Sequence, residues 1–345
     1  MNDLRLKLAT RANGKRDGEL MLVSPSGRHW TPAGGQAPTL QALLDDWSTL
    51  TVPLAQRRDS LDATGWQDAE AFDPVRCLAP LPRAFQWADA SVYRNHARLM
   101  YQWRQEPIPP RYEDEPLVYQ GGSDVMLGPC QPIVAVDEAH QIDLEAEIAV
   151  ITTDIPMGAS VEQAAACVAL VVLLNDVSLR ALIGPELAKG FGFYQSKPAT
   201  GFAPFAVTPA ALGPAWQNGT PTLTVRTEIN GAAFGALDAG SELVFNFPHI
   251  LAHLARTRSL AAGSIVGLGT ISNSDPASGS ACITEARVKA QLAGQPESAW
   301  TPYLRHGDRV RIWAEGGNGQ NLFGTIDQDV RIPGRAQDVR SRPCP

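Results

Sequence analysis

Ile142-Asp143-Leu144-Glu145-Ala146-Glu147-Ile148-Ala149-Val150-Ile151 is the stretch on which the reading of this chain turns. Its length and its Ile and Val content fit a β-strand. The side-chain period of two then sends Glu145 and Glu147 to one face and Leu144, Ala146 and Ile148 to the other. Two carboxylates that close repel unless positive charge lies between them, and a hard cation is the economical solution. A solvated strand face is the competing reading, and the stretch taken alone favours it.

Outward from this strand, residues 131–136, 222–229, 264–268, 282–290 and 309–314 are also rich in β-branched or alternating residues. Helical segments interrupt them only irregularly, which argues against a doubly wound parallel sheet or a TIM barrel. Residues 161–175 read as a helix or a helix-to-strand passage, and residues 244–257 as a helix opening near Pro248. Asn230-Gly231 and residues 315–319 read as hairpin turns. The first thirty residues, split by Asn13-Gly14 and Asp17-Gly18, read as a small antiparallel β unit. Leu40, Leu43, Leu44, Trp47 and Leu50 then fall at helical spacing behind Thr39, a suitable N-cap. Pro80 and Pro82 stiffen a connection, so we expect a small β-rich N-terminal domain over residues 1–78 and a larger one over 79–332. The expected class is α+β, mostly β, with residues 333–345 a disordered tail.

The 345 residues carry a formal net charge of -7, which argues against a nucleic-acid or anionic-membrane surface and points to a small-molecule partner. Cys77, Cys130, Cys167, Cys282 and Cys344 are scattered and form no Cys-x-x-Cys pair, so reduced thiols are expected rather than a disulfide framework or a zinc site. The N-terminus lacks an apolar run of signal-peptide length, and no run is long enough to span a membrane. A soluble cytoplasmic protein is the expectation.

Several residues outside the Glu-x-Glu strand could join its chemistry. Asp176 follows the apolar run 169–174 and sits where that element ends, as a ligand or as a turn residue. Asp89 and His96 lie seven residues apart. In a helix they would share a face about 10 Å apart, an acid and a base flanking one small substrate. Lys197 sits in an apolar, aromatic and proline-containing stretch where a buried ammonium would need carboxylates nearby, or it is a surface lysine in a loop. Gly269-Thr270-Ile271-Ser272-Asn273 is a turn that could offer a hydroxyl and amide donors to an anionic substrate, or an ordinary turn.

Taken in order, these motifs resemble the fumarylacetoacetate hydrolase family over roughly residues 79–330, and the N-terminal segment resembles the small β-rich domain that some members carry. The resemblance implies a mixed β-sandwich roll and a four-carboxylate cation site of Asp89, Glu145, Glu147 and Asp176. It implies His96 as the catalytic base, oriented by Glu285, with Lys197 also catalytic and Thr200 and Gly201 beside the metal. Tyr119, followed by Gly121, and Thr270 are the implied substrate-binding residues. Two positions depart from the animal fumarylacetoacetases. Ile183 stands where they have a substrate-facing Gln, and Gln105 where they have an Arg, which leaves Arg104 as an off-register candidate.

An all-oxygen ligand set selects Mg²⁺ or Ca²⁺, with Mn²⁺ a further option, and disfavours zinc. The implied activity is metal-dependent hydrolysis of a carbon-carbon bond in a small dicarbonyl acid, fumarylacetoacetate or an acylpyruvate such as fumarylpyruvate, in aromatic-compound catabolism. The family also implies a homodimer. Competing readings are a 2-oxo acid decarboxylase, hydratase or isomerase on the same fold, and a non-catalytic protein that holds a structural cation.

Overall fold

The computed structural model describes residues 4–35 and 37–334. The expected tail therefore lies outside the described residues, apart from Pro333 and Gly334. The class is α+β with more strand than helix, as expected.

An eleven-stranded sheet runs through the described residues. At its centre the strand Val168–Asn175 pairs antiparallel with Ala146–Thr152, which pairs antiparallel with Ser264–Gly267, which in turn runs parallel to Gln86–Ala90. Val118–Gly121 closes that side. On the other side Ala206–Val207 leads to Lys7–Arg11, Glu19–Val23 and His29–Pro32, so the small N-terminal β unit is hydrogen-bonded into the same sheet. A five-stranded sheet holds Thr224–Ile229, Ala232–Asp238, Arg309–Glu315, Asn321–Arg331 and Ile133–Val134.

Side-chain alternation along Ala146–Thr152 divides the core in two. Ile148 and Val150 pack with Val171, Leu173, Val225, Ile312 and Ile326 between the two sheets. Ala149 and Ile151 pack with Leu170, Val172 and Leu174 and with Leu40, Leu43 and Leu44 of the N-terminal helix on the opposite face. Central strands buried on both faces explain the near-continuous apolar runs. They also remove the option of a solvated strand face for the two glutamates.

Local signals held where they rested on named chemistry. The Thr39 side chain accepts from the Ala42 amide, 3.2 Å away, and caps a helix over Leu40–Asp45 that breaks at Asp46 and resumes as Trp47–Ala63. Asn230 and Gly231 adopt positive φ, the conformation a two-residue hairpin requires. Residues 161–175 are indeed a passage, helix Val161–Ala166 into strand Val168–Asn175, and the Pro248 helix is Phe247–Leu254.

Three expectations are corrected. Residues 282–290 are not a strand but belong to the helix Ile283–Leu292, capped by Cys282. Ala286, Arg287, Lys289, Ala290 and Gln291 are strong helix formers that outweigh the β-branched Ile283, Thr284 and Val288. Asp89 and His96 do not share a helix. Asp89 lies in strand Gln86–Ala90, paired on both sides, and His96 in helix Arg94–Arg104. Finally, Cys77, Cys167 and Cys282 are free thiols, but Cys130 is disulfide-bonded, so the reading of uniformly reduced thiols does not hold there. No helix among the described residues is long and apolar enough to cross a membrane.

Candidate metal centre

Strand parity brings the acids together. Trp87 and Leu174 face the second core along with Ala149 and Ile151, and Asp89, Glu147 and Asp176 share parity with them on neighbouring chain segments. Gly267 lies between the Asp89 and Glu147 strands, in register with Asp89 and with Ala149. A Cβ there would come within 2.3 Å of Asp89 Oδ1, so the absence of a side chain makes room for the carboxylate. One oxygen each from Asp89, Glu147 and Asp176 lie within 4.8 Å of one another, and all three residues are buried.

Glu145 stands beside this trio but is engaged differently. Its Oε1 accepts from Arg180 Nη2 at 2.6 Å and its Oε2 from Lys197 Nζ at 2.6 Å. Lys197, only 8% exposed, also donates to Asp176 Oδ2 at 2.5 Å, so it is not a surface lysine. Asp176 further accepts from the Tyr119 hydroxyl and, at 3.2 Å, from Thr200 Oγ1. Tyr119 faces Asp89 in the Val118–Gly121 ladder, and Lys197 Nζ lies 5.1 Å from the centre of its ring. Thr270 Oγ1 reaches Glu147 Oε1 at 3.4 Å. Gly201 pairs with Asn175 and packs against Gln328, where any Cβ would collide at 2.6 Å.

Electrostatics separates these groups. Burial, then the charges of Asp176 and Glu145, push the Asp89 carboxyl well above its ordinary value, with Lys197 opposing. Burial and the three neighbouring carboxylates do the same to Glu147. Burial would raise Glu145 too, but Arg180 and Lys197 hold it well below the usual range. Burial would lower Lys197, yet Asp176 and Glu145 hold it above its ordinary value.

Asp89 Oδ1 and Glu147 Oε2 are buried and accept no hydrogen bond. Buried carboxylate oxygens without partners are costly. Two such atoms aimed into an all-oxygen cluster are what a hard divalent cation would satisfy. Asp89, Glu147 and Asp176 could hold it, with Glu145 adjacent.

The imidazole forms a second feature. His96 Nδ1 lies 3.1 Å from Oε2 of Glu285, which is fully buried and also ion-paired to Lys289 at 2.7 Å. Burial would raise the Glu285 carboxyl, but the bond to His96 and the charges of His96 and Lys289 bring it below its ordinary value. His96 is the third residue of the helix Arg94–Arg104, which begins four residues after the strand Gln86–Ala90 that carries Asp89. Asn95, next to His96, donates to Ser272 Oγ at 2.8 Å and so ties this helix to the turn carrying Thr270.

Arg104 is not brought in. It pairs with Glu106 at 3.1 Å and covers the Tyr101 ring, and no hydrogen bond or ion pair links it to the cluster among the described residues. Sequence reasoning missed Arg180, Asp143, Asn175 and Glu186. Asn175 Oδ1 accepts from the Glu145 amide at 3.0 Å. Glu186 accepts from the amides of Tyr194, Gln195 and Ser196, which fixes the backbone leading into Lys197. Asp143 had a readable signal, since it shares strand parity with Glu145 and Glu147. Arg180 had none beyond following Asp176 by four residues.

Comparison with known proteins accords with this geometry. Residues 6–83 match the family model described as fumarylacetoacetase N-terminal domain 2. Among solved structures, the chain is similar to a fumarylacetoacetate hydrolase from Exiguobacterium antarcticum, at 19% identity and a TM-score of 0.64 over 95% of this chain and 99% of that one. It is also similar to a maleylpyruvate hydrolase from Sphingobium sp. SYK-6 in complex with manganese(II) ion and pyruvate, at 17% identity and a TM-score of 0.60 over 94% and 98%. A 2-hydroxyhepta-2,4-diene-1,7-dioate isomerase from Mycobacterium marinum gives 18% and 0.57 over 96% and 100%. At these identities the likeness establishes the fold. Residues 86–331 match the model for the fumarylacetoacetate hydrolase C-terminal domain, and the chain therefore belongs to the fumarylacetoacetate hydrolase family.

Proposed function

We propose that this protein is a divalent-cation-dependent hydrolase that cleaves a carbon-carbon bond in a small dicarbonyl acid, either fumarylacetoacetate or an acylpyruvate such as fumarylpyruvate. The observation that carries the reading is a buried cluster of three carboxylates with two unsatisfied oxygens, together with the His96–Glu285 pair on the helix that follows the Asp89 strand. Asp89, Glu147 and Asp176 would hold the cation, which when bound would supply Lewis-acid stabilisation of negative charge on the substrate's oxygens. The all-oxygen donors favour Mg²⁺, Ca²⁺ or Mn²⁺.

The chain's own residues do the rest. Glu285, ionised, accepts from His96 Nδ1–H and so leaves Nε2 as the nitrogen that takes a proton from water. The water attacks the carbonyl at the bond to be broken, and His96 returns the proton as the carbon fragment leaves. Lys197, kept charged by Asp176 and Glu145, and the Thr270 hydroxyl face developing negative charge. Tyr119 and Thr200, both bonded to Asp176, hold that carboxylate in place and border the substrate. A soluble cytoplasmic homodimer is part of this proposal.

The test is direct. Purified protein with Mg²⁺ or Mn²⁺ is expected to bleach the ultraviolet absorbance of an acylpyruvate or of fumarylacetoacetate, to release two acids, and to stop on addition of EDTA. His96→Ala should lower turnover by about 10²–10⁴-fold while metal affinity stays near the parent value. Conversion without fragmentation would replace hydrolysis with isomerisation or hydration, and loss of metal binding in His96→Ala would contradict the role given to the imidazole.

A further inference from the structure

Asp143 is fully buried, and hydrogen bonds join it on one side to Arg180, which reaches Glu145, and on the other to the first turn of the helix that carries Glu285. Its Oδ1 accepts from the Ile283 amide at 2.7 Å. Its Oδ2 accepts from the Thr284 amide at 2.9 Å and from Arg180 Nε at 2.8 Å. The other arm of the same guanidinium donates to Glu145 at 2.6 Å, and Glu145 in turn accepts from Lys197. Ile283 and Thr284 open the helix Ile283–Leu292, and the next residue is Glu285, which holds His96.

A helix N-terminus buried in the protein leaves amides that need acceptors. Cys282 Sγ takes the Glu285 amide at 3.4 Å, but a thiol is a weak acceptor. The carboxylate of Asp143 is the strong one, and charge-assisted bonds of this kind fix geometry as well as satisfy donors.

We infer that Asp143 is a positioning residue: with one carboxylate it clamps the first turn of the Glu285 helix and the Arg180 guanidinium, and so sets the His96–Glu285 pair relative to the Glu145 end of the acidic cluster. The inference rests on the reading of His96 as the base. Asparagine has the same size as aspartate but offers one oxygen and an NH₂ group. Three N–H donors converge on Asp143 across both of its oxygens, so either orientation of the amide sets NH₂ against at least one of them. The clamp opens without a change in volume.

The experiment follows imidazole ¹⁵N shifts in the Mg²⁺-loaded protein labelled at histidine, with His96 assigned by comparison with His96→Gln. In the parent protein the shifts should report a single Nδ1–H tautomer. In Asp143→Asn they should move toward a mixture of tautomers, while kcat on the acylpyruvate falls by about 10–100-fold and KM changes less than about threefold. Unchanged shifts and unchanged kcat in a folded Asp143→Asn protein with a lowered melting temperature would reduce Asp143 to a helix cap and overturn the inference.

If that variant does not fold, Ile283→Pro cuts one grip instead. Proline is tolerated at the first helical position, and Cys282 has φ -142 and ψ 154, the extended backbone suited to a residue before proline. A smaller displacement of the His96 shifts supports the clamp, and parent-like shifts overturn it. The shifts need no substrate, so a parent protein inactive on every acid tried would sink the hydrolase reading while the Asp143 result still stood.

Discussion

Glu145 and Glu147 stand two residues apart, Glu145 just before the strand Ala146–Thr152 and Glu147 within it; both are buried, and their surroundings are opposite. Glu145 meets two cations and is driven below the usual carboxylate range, whereas Glu147 meets three other carboxylates and is driven well above it. The difference teaches that the cluster is not uniformly acidic. One end is already neutralised by Arg180 and Lys197, and the other, with Asp89 Oδ1 and Glu147 Oε2 unpartnered, has room for one more positive charge.

The largest expected effect comes from the neutralised end. Glu145→Gln leaves Arg180 and Lys197 buried with reduced compensation, and breaking a buried ion pair in this way typically costs about 3–5 kcal/mol of stability. Denaturant unfolding of the metal-free protein measures it, and a loss below about 1 kcal/mol would show that the cations find other partners.

Glu147→Gln should move the other way. A carboxyl raised by folding costs stability at any pH above its unfolded value, near 4.3, whether the buried group ionises or takes up a proton, so at neutral pH Glu147 destabilises the metal-free fold. Removing its charge should stabilise that fold by about 1 kcal/mol or more. The same variant should lose the rise in melting temperature that Mg²⁺ or Mn²⁺ gives the parent protein. Destabilisation of the metal-free protein by Glu147→Gln would break the contrast between the two glutamates.

The pH dependence of metal binding sharpens the contrast further. Raised carboxyls at Asp89 and Glu147 favour protons that a cation must displace, so affinity should fall as pH is lowered, with proton release visible by calorimetry in buffers of different ionisation enthalpy. Metal binding that releases no protons would break the contrast, since it would mean that these carboxyls are not raised.

The smallest effect belongs to Glu186. Burial would raise its carboxyl, but the Ser196 hydroxyl and the amides of Tyr194, Gln195 and Ser196 hold it down to about 2. A lowered carboxyl contributes stability that is complete above the unfolded value, near 4.3, and is lost as pH falls from there through about 2. Hydrogen exchange at these three amides should quicken in that window, and Glu186→Gln should show quick exchange at neutral pH as well.

Much of the site was legible in the sequence because each part carried local chemistry. The alternation of residues 142–151 marked the strand Ala146–Thr152, but not the break at Leu144 and Glu145 that separates it from Ile142–Asp143, nor the burial of both glutamates. Thr39, Asn230-Gly231 and Pro248 marked their turns and caps through backbone preferences that need no partner. Residues 282–290 misled because β-branched residues at 283, 284 and 288 imitate a strand, while the helix formers at 286, 287 and 289–291 outweigh them and the first turn is further held by the Cys282 cap and by Asp143, which lies 140 positions from Ile283. The Asp89 to His96 spacing was right in order but wrong in geometry, since a strand and a helix meet between them.

By itself the sequence determined which faces are apolar, where turns fall and which acids share a parity, because these follow from side-chain chemistry and the repeat of the local backbone. Tertiary structure alone decided which glutamate is neutralised. Arg180 and Lys197 reach Glu145 from 35 and 52 positions away, and a charge interaction depends on distance and burial, quantities no spacing along the chain specifies.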